Sequence, residues 1–303
     1  MKFPLHMAEI TFLGTSSMVP TKDRNHSAFF LSFKDDGILF DCGEGTQRQL
    51  KIAGINPNRI TKILISHWHG DHSLGIPGLI QTMSANNYDK KLKIFGPPGT
   101  RKNIKTLFKI FDFLNKMDIE VYDIRKKKFY EDENYYMEAY PLEHKIPCLG
   151  FRFVEKDFRR VDVSRAKKIG IPEGPLLGQL QGGRSIMLNG RRIRPSEVTY
   201  IQKGRVLGYI SDTAPCDSCL AVAKNADLLI SESTFESGLD EKAFEYTHLT
   251  AKDAASIAAS AGAKKLILTH FSQRYADITP ILEEARIYFP NSACAHDFMK
   301  VQF

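Results

Sequence analysis

The stretch ISHWHGDHSLG, Ile65 to Gly75, places three histidines and an aspartate within the six residues His67 to His72. The whole chain of 303 residues has only nine histidines. One histidine alone is more often structural than a ligand; three with an aspartate, directly after an apolar run, are hard to read that way. That run, ITKILIS (60–66), is apolar and β-branched, the pattern of a buried strand. At its end His67 and His69, being alternate residues, face one way, and Asp71 and His72 turn back at the start of the next helix. Imidazole nitrogen and carboxylate oxygen suit Zn²⁺ best, and Mn²⁺ or Fe²⁺ less decisively. Four adjacent ligands cannot all wrap one tetrahedral ion, so two metals are expected.

A two-metal site needs further ligands. His144 ends the alternating run YYMEAYPLEH, Asp212 ends RVLGYISD, and His270 ends KKLILTH. Each is a metal-binding side chain at the C-terminal end of an expected strand, where open α/β sheets place their sites. Elsewhere EITFLG (9–14), AFFLSF (28–33), GILFDCG (37–43), KLKIFGPPG and ADLLISES read as strands. GTQRQLKIAG reads as a helix stopped by Gly54, and IKTLFKIFDFLNKM has helical spacing. TAKDAASIAASAGA reads as a helix with Thr250 as N-cap and Asp253 three positions on. Strands alternating with helices imply α/β layering.

Composition sets limits. Hydrophobic residues make up 43% and charged residues 25%, ordinary for a folded protein. No 18-residue apolar run exists, so no transmembrane helix is expected, and the first ten residues lack the apolar core of a signal peptide. Five scattered cysteines make no disulfide framework, so the chain reads as intracellular and cytoplasmic. Cys216 and Cys219 form one C-x-x-C; a structural zinc site would want a second pair, so they read as core or surface residues. The net charge of +7 hints at a polyanionic partner. It is concentrated: residues 152–205 hold 13 Lys/Arg against five Asp/Glu. The same segment holds IPEGPLLGQLQGG (171–183), rich in Gly and Pro and poor in periodicity, and reads as an excursion inserted in the α/β body. Arg125–Lys128 reads as a solvated turn, and LNGRRIRP as a solvated hairpin or a phosphate contact.

HWHGDH resembles the HxHxDH motif of the metallo-β-lactamase superfamily. Further stretches narrow the likeness to the ribonuclease Z family, the tRNA 3′-end endonucleases. FLGTSSMVPTKDRN resembles its opening motif, with Pro20, Arg24 and Asn25. FDCGEGTQ and GPPGT resemble its next landmarks, and EYTHLTAKDAA and THFSQRY its last two. The likeness runs from about Ile10 to Tyr275. It implies a four-layer αβ/βα sandwich over 1–303, with an exosite arm inserted at 155–203. It implies two Zn²⁺ per subunit: His67, His69 and His144 on one, Asp71, His72 and His270 on the other, Asp212 bridging. It implies that Asp71 takes the proton of the attacking water and that His248, outside the ligand set, is the general acid. It implies precursor tRNA as substrate, a tRNA 3′-hydroxyl and a trailer 5′-phosphate as products, and a homodimer whose arm serves the partner's site. Gly174 and Pro175 match the arm's tip, and Arg184, Arg191, Arg192 and Arg194 fall in the basic segment as candidate RNA contacts. One departure stands out. Some relatives carry an acidic residue three positions before the bridging aspartate to support the histidine acid; here it is Tyr209, so either its hydroxyl or another carboxylate orients His248.

Two other functions fit the motif less well. A small-substrate phosphodiesterase of the same superfamily would use the same metals but has no use for a basic arm. A non-catalytic RNA-binding module would not need a complete ligand set plus His248.

Overall fold

The computed structural model describes residues 8–111 and 117–303. Residues 1–7, at the start of the stretch read as lacking a signal peptide, and 112–116, in the second half of the run read as helical, lie outside it. The described residues divide into two compact units. The larger takes residues 8–130, 137–153 and 206–303, and the smaller 131–136 and 154–205.

The larger unit is built on two seven-stranded sheets. In the first, the order is β18 (Lys300–Gln302), β1 (Glu9–Gly14), β2 (Ala28–Phe33), β3 (Asp36–Phe40), β4 (Lys62–Leu64), β5 (Lys91–Gly96) and β6 (Asp118–Asp123). In the second it is β17 (Ser292–Cys294), β16 (Leu266–Thr269), β15 (Leu228–Glu232), β14 (Val206–Ile210), β9 (Cys148–Glu155), β8 (Tyr135–Leu142) and β7 (Lys128–Glu131). Strands β3 to β6 are parallel, as are β14 to β17. Parallel neighbours need crossovers, which is why helices alternate with them. On the first sheet these are α1 (Thr46–Ile52), α2 (Gly70–Ser73), α3 (Ile76–Ala85) and α4 (Thr100–Ile110).

The two-residue period of a strand sorts its side chains between layers. Phe30 and Leu39 face outward into a cluster with Leu50, Ile76, Leu79, Ile80, Met83 and Ile104 of the helices. Their neighbours Phe29 and Phe40 face the second sheet, where both rings meet Tyr209 edge-on at 5.0 and 5.9 Å. Phe33 meets Phe153, and Phe40 meets Phe151, in the same way. The second sheet's outer face packs Ile210, Leu229, Leu266 and Leu268 against helices. These are α8 (Asp217–Ala223), α10 (Ala251–Ser260) and α11 (Thr279–Tyr288). The layers run helix, sheet, sheet, helix, as the sequence suggested. Aromatic contacts of this kind add about 0.5–1.5 kcal/mol each to the area they bury, so the sheet-to-sheet seam is firm directly beneath the strand ends.

Two expectations are corrected. The strand expected over 60–66 shortens to β4, three residues: Ile65 N–H still bonds to the Phe95 carbonyl of β5, but Ser66 N–H turns to the Asp41 carboxylate. The helix expected from Ile104 starts earlier and breaks at Phe111, whose backbone is extended. The helix at 251–260 has the expected capping box, with Thr250 Oγ1 accepting from Asp253 N–H and Asp253 accepting from Thr250 N–H.

The smaller unit has its own core of Ala166, Ile171, Leu177, Leu180, Ile186, Ile193 and Val198. It pairs β10 (Phe158–Val161) with β13 (Thr199–Gln202), and β11 (Ile186–Leu188) with β12 (Arg191–Ile193). Around them lie α5 (Val163–Lys168), α6 (Pro175–Gln181) and α7 (Pro195–Val198). The Gly-Pro stretch read as irregular is therefore partly helical: Pro175 opens α6, and Leu177 and Leu180 share its buried face. Asn189 and Gly190 both have positive φ, the two-residue hairpin turn that Asn-Gly favours. The remaining helix, α9 (Asp240–Tyr246), belongs to the larger unit and leads into His248.

Candidate metal centre

Seven side chains converge at the C-terminal ends of the strands. His67 and His69 follow β4, His144 follows β8, Asp212 follows β14, His270 follows β16, and Asp71 and His72 lie on α2. Among the described residues, three groups have donor atoms within 4.8 Å of one another: Glu232–His248–His270 and, from the expected ligands, His67–His69–His144–Asp212 and Asp71–His72–Asp212–His270. Asp212 belongs to both of the latter.

The donor atoms face each other. His69 Nδ1 lies 3.0 Å from His67 Nε2 and 3.2 Å from His144 Nε2. His72 Nε2 lies 3.2 Å from His270 Nε2 and 3.4 Å from both Asp71 Oδ2 and Asp212 Oδ1. The outward nitrogens of four rings are committed elsewhere. His72 Nδ1 donates to Asp41 at 2.9 Å. His67 Nδ1 donates to Ser66 Oγ, whose own hydroxyl is spent on Asp41. His144 Nδ1 donates to Thr247 Oγ1 at 2.8 Å, and His270 Nδ1 to Thr234 Oγ1 at 2.9 Å. In the neutral form that a metal binds, these bonds put each ring's proton on Nδ1 and turn the Nε2 lone pair inward. Lone pairs at such separations repel unless a cation lies between them.

The donor set fits divalent metal. Four ligands about 2.0–2.1 Å from a tetrahedral ion stand about 3.3 Å apart, and the observed separations bracket that. Asp71 Oδ1 and Asp212 Oδ1 are buried without a hydrogen-bond partner, which is costly for a carboxylate. Burial, the largest influence, pushes His67, His69 and His144 below their ordinary value of 6.5, toward the neutral form a metal binds. Burial favours the neutral forms of Asp71, Asp212 and His72, but the opposite charges hold each other. His72 is raised well above 6.5 by Asp212 and Asp71, and the two carboxylates are lowered, Asp71 foremost by His72 and Asp212 by His270, so metal binding would release the His72 proton.

His248 stands apart from the two groups of expected ligands. Its Nδ1 lies 3.0 Å from Glu232 Oε1 and 4.0 Å from Asp212 Oδ2. Burial disfavours its charge, yet Glu232's charge and hydrogen bond prevail and lift its pKa to about 9. Glu232, 1% exposed at the end of β15, is also clamped by Thr213 N–H and by the Thr234 hydroxyl at 2.6 Å. It is the carboxylate that orients His248. Tyr209 does something else: its hydroxyl donates to Asp41 at 2.7 Å.

A family model described as anti-Pycsar protein Apyc1 matches residues 8–152. Ribonuclease Z of Methanothermobacter thermautotrophicus is 44% identical over 297 residues, 98% of this chain and 97% of that protein. This chain belongs to the ribonuclease Z family. Human tRNase Z, short form, superposes with a TM-score of 0.72 at 29% identity, covering 97% of this chain and 98% of that one. The metallo-β-lactamase fold protein YhfI of Bacillus subtilis reaches 0.72 at 18%, covering 98% of this chain and all of that one, and speaks for the fold alone.

Within this member of the ribonuclease Z family, sequence reading missed four supports: Asp41, Thr234, Glu232 and Thr247. Glu232 carried a usable signal, since a charge ending the buried run LLISE is the pattern that exposed Asp212 and His270. The candidate RNA contacts divide. Arg192 and Arg194 join Arg159, Ser185, Pro195 and Ser196 around an open groove of about 480 Å³ in the smaller unit. Arg191 instead pairs with Glu197 at 2.7 Å, and Arg184 is exposed and does not line the groove. Gly174 has φ 134°, a value that suits glycine, and Pro175 begins α6. No helix among the described residues is long and apolar enough to cross a membrane.

Proposed function

We infer that this protein is a metal-dependent endoribonuclease that removes the 3′ trailer from precursor tRNA, with two Zn²⁺ per subunit. One observation carries the reading: a half-buried, carboxylate-paired imidazole, His248, stands beside two donor groups sharing one aspartate. His67, His69 and His144 would hold one ion and Asp71, His72 and His270 the other, with Asp212 serving both. When bound, such ions supply positive charge against the phosphoryl oxygens and acidify a water. Asp71 takes the proton of the attacking water. His248, kept protonated by Glu232, gives its proton to the departing 3′ oxygen. The tRNA leaves with a 3′-hydroxyl and the trailer with a 5′-phosphate.

The basic smaller unit would be the exosite arm, gripping tRNA phosphates away from the scissile bond; its charge excess and the groove of Arg159, Arg192 and Arg194 favour this. A homodimer in the cytoplasm, with the arm of one subunit serving the other's site, follows from family likeness. The test is cleavage of pre-tRNA carrying a 3′ trailer against hydrolysis of a small bis-phosphodiester, before and after chelation. Cleavage at the trailer junction, abolished by chelator and restored by Zn²⁺, is expected. Efficient turnover of the small ester with none on pre-tRNA would make the chain a small-substrate phosphodiesterase instead.

A further inference from the structure

The one C-x-x-C of the chain has no part in this chemistry, yet its two sulfurs are 3.6 Å apart. Cys216 is the N-cap residue of α8 and Cys219 its third residue. N-cap and third-residue side chains are the pair that converge in a capping box, and here the Cys219 N–H also bonds to the Cys216 carbonyl. The exposures differ: Cys216 is partly open, between exposed Pro215 and Asp217, whereas Cys219 is fully buried. The position matters too. Cys216 Sγ lies 3.8 Å from Thr213 Oγ1. Thr213 follows Asp212, gives its N–H to Glu232, and accepts from the N–H of Glu143, the residue before His144. Glu143 and Ala214 are joined as an isolated β-bridge. The thiol pair thus abuts the junction between two ligand loops.

We propose that Cys216 and Cys219 form a reversible dithiol–disulfide site, with Cys216 the attacking and Cys219 the resolving thiol, that acts on the metal centre through Thr213. The co-reactant is a low-molecular-weight disulfide, RSSR. The Cys216 thiolate attacks one sulfur, forming a mixed disulfide and expelling one RS⁻. Cys219 then loses its proton and attacks Cys216 Sγ, expelling the second RS⁻. The protein dithiol is oxidised, RSSR is reduced to two RSH, and the two thiol protons go to the leaving thiolates. Closing 3.6 Å to a bond of about 2.05 Å needs a shift of roughly 1.5 Å. That shift strains the Thr213 junction, on which both Asp212 and Glu232 depend. The thiols are tuned for these roles. The hydrogen bond from Cys219, working against burial, brings Cys216 down to about 5, while Cys219 is raised, first by its bond to Cys216 and then by burial. Burial raises Cys42 and Cys148 and pushes Cys294 up to about 12.

The test uses the metal-loaded full chain in glutathione redox buffers, read by peptide mass and by iodoacetamide alkylation. Expected are a Cys216–Cys219 disulfide that forms with oxidised glutathione and is reversed by a phosphine, and a Cys219→Ser chain that halts at the glutathione mixed disulfide. Alkylation of Cys216 should be nearly flat from about pH 6.5 to 8.5, where an ordinary thiol speeds up close to tenfold per pH unit. Cys216→Ser should turn over pre-tRNA normally and resist oxidation, whereas the oxidised parent should lose several-fold in kcat with little change in KM. A pair that stays reduced under excess oxidised glutathione, or a steep alkylation profile, overturns the redox site. Full oxidation with unchanged kcat overturns its action on the metal centre. The mass and alkylation readings hold whether or not the chain cleaves RNA, so they fail separately from the proposed activity.

Discussion

Replacing Glu232 by Gln removes one charge and little else from beside His248. The ordinary histidine value is 6.5 and His248 is raised to about 9, a preference for the charged ring worth about 3 kcal/mol at 1.36 per unit. Burial and the His72 ring oppose that charge and, without Glu232, only Asp212 at 4.0 Å still favours it, so the ring should fall back to its ordinary range or below. The sign follows: a raised pKa keeps the acid form up to about 9 and loses it above, and the variant loses it two or more units earlier. At about pH 7.5 the protonated fraction drops from nearly all to a tenth or less, so kcat should fall about tenfold, and at about pH 6 only about twofold. Bound cations repel the imidazolium in both proteins, so the informative quantity is the displacement between the two alkaline limbs. The assay is the pH profile of kcat on pre-tRNA, with metal content measured in parallel. The glutamine oxygen can still accept from His248 and Thr213, but its amide meets both the N–H and the hydroxyl of Thr234, two buried donors that lose their acceptor at about 1–3 kcal/mol of stability each. An alkaline limb that stays in place, with metal content intact, would refute the claim that Glu232 sets the state of His248.

Three further outcomes are expected. Asp212→Ala should lower occupancy of both ion sites together in elemental analysis, since its carboxylate faces both groups; loss of one ion alone would contradict the bridging role. His248→Ala should keep the metals and lose roughly 10²–10⁴-fold in turnover; metal content falling in step with activity would make it a ligand. Arg192→Ala and Arg194→Ala should each flatten the dependence of log affinity for pre-tRNA on log salt by about 0.7–0.9, and leave small-ester hydrolysis unchanged, while Arg191→Ala, already paired with Glu197, should do less.

The convergence of seven donor side chains was legible because it obeys two strong rules at once. Buried strands read as apolar runs, and functional groups gather at their C-terminal ends, so Asp212 and His270 stand out as polar residues closing apolar segments. The capping box at Thr250 was legible because it is local, four residues long. What surrounds the ligands was not. Asp41 accepts from Ser66, His72 and Tyr209, partners up to 168 positions away along the chain, and no spacing rule reaches across that distance. The smaller unit hid its helix for another reason. Gly174, Gly178, Gly182 and Gly183 argue against helix by propensity, and only the burial of Leu177 and Leu180 against Ile186, Ile193 and Val198 overrides them.

The backbone around the site shows what that long-range support is for. Asp41, Thr247 and His270 all have positive φ, between 56° and 63°. An aspartate tolerates this region; a threonine is β-branched and does so at a cost of order 1–3 kcal/mol. Each residue is compensated at the same place. The Asp41 carboxylate gathers four donors. The Thr247 hydroxyl accepts from His144, and its carbonyl lies 3.2 Å from the same ring nitrogen. His270 is locked by Thr234, which is locked by Glu232, which holds His248. The strained turns are therefore the means by which four strand ends and a helix end aim their side chains at one small volume. A relaxed backbone at these three positions would point the same residues elsewhere. The chain from His270 through Thr234 and Glu232 to His248 also means that the proposed second-ion ligand and the proposed general acid share one buried carboxylate. On that reading metal position and proton donation are mechanically one unit.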